Sequence, residues 1–233
     1  MTANARSLIS EFFSEPVKTG VDSKCYALDA TSVRLSEAFQ LQNLVLKVKA
    51  SKTLEIGCAL GASAVSISEA VRNQPGGKHV VLDPYQEAFG HVGIREIERL
   101  GLKAVVEFHP VRSEEFLQAA VKNNQQFDFV FNDGGHGIGQ KVSDTFFAER
   151  ILAVGGILAF HDAFLDSTVS CVRYLLKECQ FEIVYLEPDS KLKRIARIAK
   201  YGLRHGFWFS TKVVPFTHRS LVAVRKTTNS TRP

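Results

Sequence analysis

Glu55, Asp83, Asp133, His136, His161 and Asp162 have side chains suited to a reaction centre, and each lies in or beside a short apolar run. Glu55 sits in Thr53-Leu54-Glu55-Ile56-Gly57-Cys58-Ala59-Leu60-Gly61-Ala62-Ser63, and Asp83 closes His79-Val80-Val81-Leu82-Asp83. Asp133 and His136 fall in Asn132-Asp133-Gly134-Gly135-His136, and His161-Asp162 ends the run Ile157 to Phe160. Gly57, Ala59 and Gly61 leave the backbone free to turn sharply and to approach a ligand. Ser63 stands where a hydroxyl can cap a helix start. A strand–glycine–helix unit cradles nucleotides in more than one fold. Glu55 would repel a pyrophosphate, but it can accept hydrogen bonds from an ammonium or a ribose. Asp83, at a strand tip before Pro84, is placed to accept from ribose hydroxyls. A ligand with a ribose, a positive charge and no phosphate suits both acids. The glycines between Asp133 and His136 let that loop curl so that both side chains can face one pocket.

These groups need elements to position them. Leu8, Ile9, Phe12 and Phe13 share a helical face that stops before Pro16. Val17 to Ala30 reads as a loop. Ser32 to Lys49 reads as a helix with Leu35, Phe39, Asn43 and Leu46 along its face and Ala38 and Gln42 beside it. After the glycine turn, Ala64, Ile67 and Val71 mark a helix ended by Pro75-Gly76-Gly77. Ile94, Ile97 and Leu100 mark another, with Gly101 as its stop. Ala104 to Phe108 is the third expected strand. Ser113, followed by Glu114 and Glu115, is a good helix start. Phe127 to Phe131 is the fourth strand, followed by a helix containing Val142 and Phe146. Gly155-Gly156 introduces the fifth strand. A helix over Val169 to Cys179, a strand over Phe181 to Leu186 and a last strand over Arg219 to Lys226 complete the pattern. Alternation of this kind predicts a doubly wound, mostly parallel α/β sheet. In such sheets ligands bind beyond the carboxyl ends of the strands, where Asp83, Asp133, His136, His161 and Asp162 would gather.

With 233 residues, 45% of them hydrophobic, the chain can form one large domain, and its composition excludes disorder. A net charge of +5 speaks to solubility and weak attraction to anions rather than to fold, and no nucleic-acid partner is expected. Cys25, Cys58, Cys171 and Cys179 form no CxxC pair and read as reduced thiols. No apolar run is long enough for a membrane span, and the opening residues lack the apolar core of a secretory signal, so a cytoplasmic location is expected. The basic stretch Lys191 to Arg204 reads as an insert whose apolar face packs down and whose basic face meets water. Asp83-Pro84-Tyr85 lacks the second proline and the position of an amino-methylating Asp-Pro-Pro-Tyr motif.

Leu54-Glu55-Ile56-Gly57-Cys58-Ala59-Leu60-Gly61 followed by Val81-Leu82-Asp83-Pro84 resembles the first two motifs of class I S-adenosylmethionine-dependent methyltransferases. Phe129 to His136 and Gly155 to Asp162 resemble the fourth- and fifth-strand motifs of the small-molecule O-methyltransferase branch, of the macrocin and cephalosporin-pathway type and, more distantly, of catechol O-methyltransferases. The resemblance implies a Rossmann-like seven-stranded sheet, with an N-terminal helical extension over 1–50 and a methyltransferase domain over 51–233 that carries the basic insert at about 189–206. It implies that Glu55, Gly57, Ala59, Gly61 and Ser63 line the methionine end of the cofactor, that Asp83 holds the ribose, and that Ser113 lies near the adenine. It implies a divalent cation, Mg²⁺ or Mn²⁺, on Asp133, His161 and Asp162, with Asp133 serving both cofactor and metal. His161 departs from the family, which has an acid or amide there, and imidazole suits transition metals better than magnesium. His136 matches the general base, a role that suits a side chain with an unperturbed pKa near 6.5.

Two rival readings remain. Gly57, Ala59 and Ala62 can be forced into a degenerate GxGxxG/A frame of an NAD(P)-dependent oxidoreductase, against which Glu55 argues. A non-catalytic methyltransferase-like subunit would keep the cofactor without turnover. The acceptor is expected to be a hydroxylated small molecule. The N-terminal segment could form a lid or a contact in a homo-oligomer.

Overall fold

The computed structural model describes residues 7–187 and 220–228. The chain runs α1 (Leu8–Phe12), β1 (Val17–Thr19), β2 (Cys25–Ala27), α2 (Leu28–Thr31), α3 (Leu35–Lys47), β3 (Lys52–Ile56), α4 (Ala62–Val71) and β4 (Lys78–Leu82). A 3-10 turn over Gln86–Phe89 precedes α5 (Val92–Arg99), β5 (Val106–His109), α6 (Ser113–Lys122), β6 (Phe127–Asn132) and α7 (Ile138–Ile151). The last elements are β7 (Leu152–Phe160), α8 (Asp166–Glu178), β8 (Phe181–Leu186) and β9 (Val222–Lys226). Seven strands form one sheet in the order β5-β4-β3-β6-β7-β9-β8. From β5 to β7 neighbouring strands are parallel, and β9 runs antiparallel to both its neighbours. This is the Rossmann-like, doubly wound and mostly parallel arrangement expected from the sequence.

Strand alternation sends side chains to two separate cores. Val81, Phe129, Phe131, Ile157 and Ala159 face α1, α3, α4 and α5. Val80, Leu82, Val130, Leu158 and Phe160 face α6, α7 and α8. Each fully buried Phe or Leu stabilises the fold by roughly 1.5–3 kcal/mol. On α3 the buried positions are Glu37, Ala38, Leu41, Leu44 and Val45, whereas Leu35 and Leu46 are exposed. The expected apolar face was therefore partly out of phase: Ala38 and Phe39 pack into the core as expected, but Leu41, Leu44 and Val45 rather than Leu35 and Leu46 complete the buried face against α4.

Val17 to Ala30 is not a loop. Val17, Lys18 and Thr19 pair with Ala27, Tyr26 and Cys25 in an antiparallel hairpin, and α2 follows directly. The hairpin is held by contacts that no local pattern announces. The Lys18 ammonium is buried, 3.0 Å from Glu96 Oε2 and 4.6 Å from the centre of the Phe12 ring. Arg95 Nη1 donates to Thr19 O at 2.8 Å, and Val21 N donates to Gly90 O at 2.8 Å. These ties bring the segment after the hairpin, Asp29 to Val33, to the rim of the main cavity. Strand β7 begins at Leu152, earlier than the expected Ile157, with Gly155 at φ 84° inside it. The basic stretch Lys191 to Arg204 lies outside the described residues. Among the described residues, no helix is long and apolar enough to cross a membrane.

Candidate active site

Strand order reverses between β3 and β6, and crevices beyond the carboxyl ends at such a point are where doubly wound sheets bind ligands. Here the two strand tips touch. Asp133 N donates to Ile56 O at 2.9 Å, and a Cβ on Gly57 would lie 2.6 Å from Asp133 O. Gly57 also has φ 89°, so the glycine is required twice over. A cavity of about 490 Å³ opens above this junction, lined by Gly57, Ala59, Ser63, Asp83, Asp133, His136, His161 and Asp162 among others. A second, of about 250 Å³, is lined by Asp83, Tyr85, Arg112, Ser113, Glu114 and Gln140. Gly57, Asp83, Tyr85, Gly134 and Gly135 belong to both walls. The larger cavity falls in the size range of small-molecule sites, and the smaller one adjoins it.

Asp83 is locked to the glycine turn. Its Oδ2 accepts from Cys58 N at 3.1 Å, Ala59 N at 2.9 Å and Gln86 Nε2 at 2.8 Å, and its Oδ1 accepts from Tyr85 N at 2.8 Å. Ala59 carries a φ of 44°, a left-handed conformation that non-glycine residues adopt at a cost. Three sequence expectations change here. Ser63 does not cap α4: the helix starts on Gly61, at φ 92°, and Ser63 Oγ donates to Glu55 Oε1 instead. Glu55 does not reach the cavity wall. It is fully buried, with Oε2 at 3.0 Å from His79 Nε2, whose Nδ1 lies 2.9 Å from Thr53 Oγ1. Burial pushes the Glu55 carboxyl above its usual value, against the pull of His79 and Ser63. Gly61 serves packing rather than the cavity, since a Cβ there would meet Gly93 Cα at 2.8 Å. Cys58 is buried, and burial together with Glu55 and Asp83 raises its thiol well above the usual range, which disarms it as a nucleophile.

At the opposite wall Asp133, His136, His161 and Asp162 come together as the sequence predicts. His136 Nδ1 lies 3.1 Å from Asp162 Oδ2, and its side chain is 63% exposed, open to the cavity. Asp162 adopts φ 51°, an uncommon conformation that aims its carboxylate back between the two histidines. His161 Nδ1 is 3.3 Å from Asp133 Oδ1 and 3.4 Å from Asp162 Oδ1. Burial works against charge on His161, but Asp133, Glu37 and Asp162 outweigh it and lift the imidazole to about 10. Potential donor atoms of Asp133, His161 and Asp162 lie within 4.8 Å of one another. Two carboxylates and an imidazole converging on a cavity fit a divalent transition metal, which would displace a proton from His161 Nδ1.

Two participants escape a sequence reading. Glu37, from α3, faces His161 from behind. Lys141, from α7, is fully buried and donates from Nζ to Asn132 Oδ1 at 3.0 Å. Burial lowers its pKa against the pull of Asp133, Asp144 and Asp162. The spacing of Lys141 with Asp144, Thr145 and Ala148, all buried on one face of α7, is the signal that could have found it. Ser113 does lie at its helix start, lining the smaller cavity. Its Oγ donates to Asp144 Oδ1 at 2.7 Å and accepts from Gln140 Nε2 at 2.8 Å.

Residues 54–163, which span the strands and tips that build this edge, match the family model described as a methyltransferase domain. No curated protein matches it in sequence. Solved structures share its fold. One is the O-methyltransferase TomG from Streptomyces achromogenes, involved in tomaymycin synthesis, in complex with SAM, with 15% identity, a TM-score of 0.64, and 98% of this chain and 93% of that chain covered. An O-methyltransferase from Bacillus cereus in complex with SAH has 18% identity and a TM-score of 0.64, covering 97% of this chain and 94% of that one. An SAH-bound methyltransferase from Podospora anserina has 14% identity and a TM-score of 0.63, covering 95% and 88% respectively.

Proposed function

We propose that this chain transfers a methyl group from S-adenosylmethionine to a hydroxyl of a small-molecule acceptor, with His136 as general base. The observation that carries this reading is the His136–Asp162 pair at 3.1 Å, facing the same cavity as the Asp83-bound glycine turn. In this reading Asp83 receives the ribose hydroxyls. Gly57 and Ala59 leave room for the methionine end, and Ser113 and Gln140 flank the base. Ser63 lines that end too, with Glu55 supporting it from below. S-adenosylmethionine, when bound, supplies an electrophilic methyl on a sulfonium. The protein aligns the acceptor oxygen with that methyl, an effect that can supply up to about 7–11 kcal/mol. Asp162 holds Nδ1 of His136, which leaves Nε2 to take the hydroxyl proton as the new C–O bond forms. Asp133, His161 and Asp162 would hold a divalent ion such as Mn²⁺, whose contribution is to lower the pKa of the acceptor hydroxyl. The cysteines form no disulfide among the described residues, which suits a reducing compartment, and the cytoplasm is part of the same proposal.

Calorimetric titration with S-adenosylhomocysteine and with NADH tests the reading. Binding of the first and not the second is expected. NADH binding without S-adenosylhomocysteine binding would overturn it in favour of an oxidoreductase.

A further inference from the structure

We infer that Glu37 is the positioning residue for His161. An imidazole has two nitrogen edges, and whatever holds one fixes what the other presents. The Nδ1 edge of His161 faces Asp133 and Asp162 at the cavity. On the opposite edge the buried Nε2 has no hydrogen-bond partner and lies 3.6 Å from Glu37 Oε2, an ion-pair distance, and Glu37 is the only carboxylate within such reach of Nε2 among the described residues. Phe131 packs edge-on against the ring, with centroids 6.5 Å apart.

Glu37 is itself anchored. Its Oε2 accepts from Arg34 N at 2.6 Å and its Oε1 from Arg34 Nη2 at 2.6 Å, the capping contacts that start α3. It is 3% exposed and does not line the cavity. Its carboxylate therefore acts on the site through the ring. The same orientation serves His161 whether Nδ1 donates a proton to the two aspartates or offers its lone pair to a metal. A segment outside the matched domain thus sets the geometry of the fifth-strand histidine. That His161 takes part in methyl transfer rests on the function proposed above; the orientation itself does not.

The test is side-chain ¹H–¹⁵N spectroscopy of His161 in the wild type and in Glu37→Ala, Glu37→Asp, Glu37→Gln and Arg34→Ala, assigned with His161→Asn. Each protein is also titrated with S-adenosylhomocysteine. Glu37→Ala and Glu37→Asp, which remove or withdraw the acceptor, should move both ring-nitrogen resonances of His161. Glu37→Gln, which keeps a polar oxygen of the same reach but not the charge, should leave the resonances closer to the wild-type pattern than Glu37→Ala does. Arg34→Ala breaks the ion pair but leaves the backbone capping contact, so it should lower the melting temperature with the His161 signals in place. The inference is overturned if the ring resonances of Glu37→Ala and Glu37→Asp coincide with those of Arg34→Ala, for Glu37 is then only a helix cap. Failure of the wild type to bind S-adenosylhomocysteine would remove the proposed function and leave the ring measurement to decide the inference.

Discussion

In the proposed mechanism His136 is the base, and Asp162, 3.1 Å from its Nδ1, is the group that would hold the ring. Replacing His136 with Ala should lower turnover by roughly 10²–10⁴-fold, since that is what a positioned base contributes. S-adenosylhomocysteine affinity should stay near wild type, because the imidazole lies on the acceptor wall. Methyl transfer to an acceptor turned over by the wild type, followed under single-turnover conditions, checks this. A different residue shows a pH dependence. Burial works against the Glu96 charge, but hydrogen bonds from Arg99 and Lys18 outweigh it and hold the carboxyl below its usual 4.5. The sign follows: the stability this group contributes is fully present above pH 4.5 and is lost as pH falls through the lower folded-state pKa. Urea unfolding of the wild type and Glu96→Gln at neutral and acid pH should show the wild type losing its advantage on acidification. A constant gap across that range would contradict the assignment.

The β3–turn–α4 unit concentrates strain and close approach in a few residues. Gly57→Ala must place a methyl 2.6 Å from Asp133 O at φ 89°. The left-handed conformation alone costs about 1–2 kcal/mol, and separation of the β3 and β6 tips adds to it. The variant should melt earlier and lose cofactor affinity together, because the same displacement opens the cavity floor. Ala59→Gly should do the reverse for stability. Relief of the φ of 44° outweighs the extra freedom of the unfolded glycine, a gain of up to about 1 kcal/mol visible in a denaturant midpoint. A midpoint shifted downward would show that Ala59 is held there without strain. On α3 the exposed Leu35 and Leu46 and the buried Leu41 and Leu44 show how a helix with two candidate faces is resolved only by its neighbour.

The molecule as a whole assembles one site from β3, β4, β6 and β7 tips, the segment after the hairpin, and α3 behind. A ligand that binds only this assembled edge stabilises all of it. S-adenosylhomocysteine at one hundred times its dissociation constant should raise the unfolding free energy by about 2.7 kcal/mol, measurable by chemical denaturation. Mn²⁺ added to that complex should raise it further if Asp133, His161 and Asp162 act as ligands, and His161→Ala should abolish the increment.

Strand ends, glycine turns and prolines are local signals. They were enough to place Asp83, Asp133, His136, His161 and Asp162 along one sheet edge and to predict the doubly wound sheet around them. Local signals stop where a side chain finds its partner far along the chain. Glu55 looked like a cofactor ligand until His79 and Ser63 took up its oxygens, and Ser63 looked like a helix cap until Glu55 accepted its proton. The hairpin at Val17–Ala27 depends on Lys18 reaching Glu96, and the setting of His161 depends on Glu37. The sequence by itself determined the order of the elements and the chemistry available at their ends. Which carboxylates face the ligand and which are spent on holding the frame was decided by tertiary contacts, since burial and the direction of a hydrogen bond exist only once distant segments pack together.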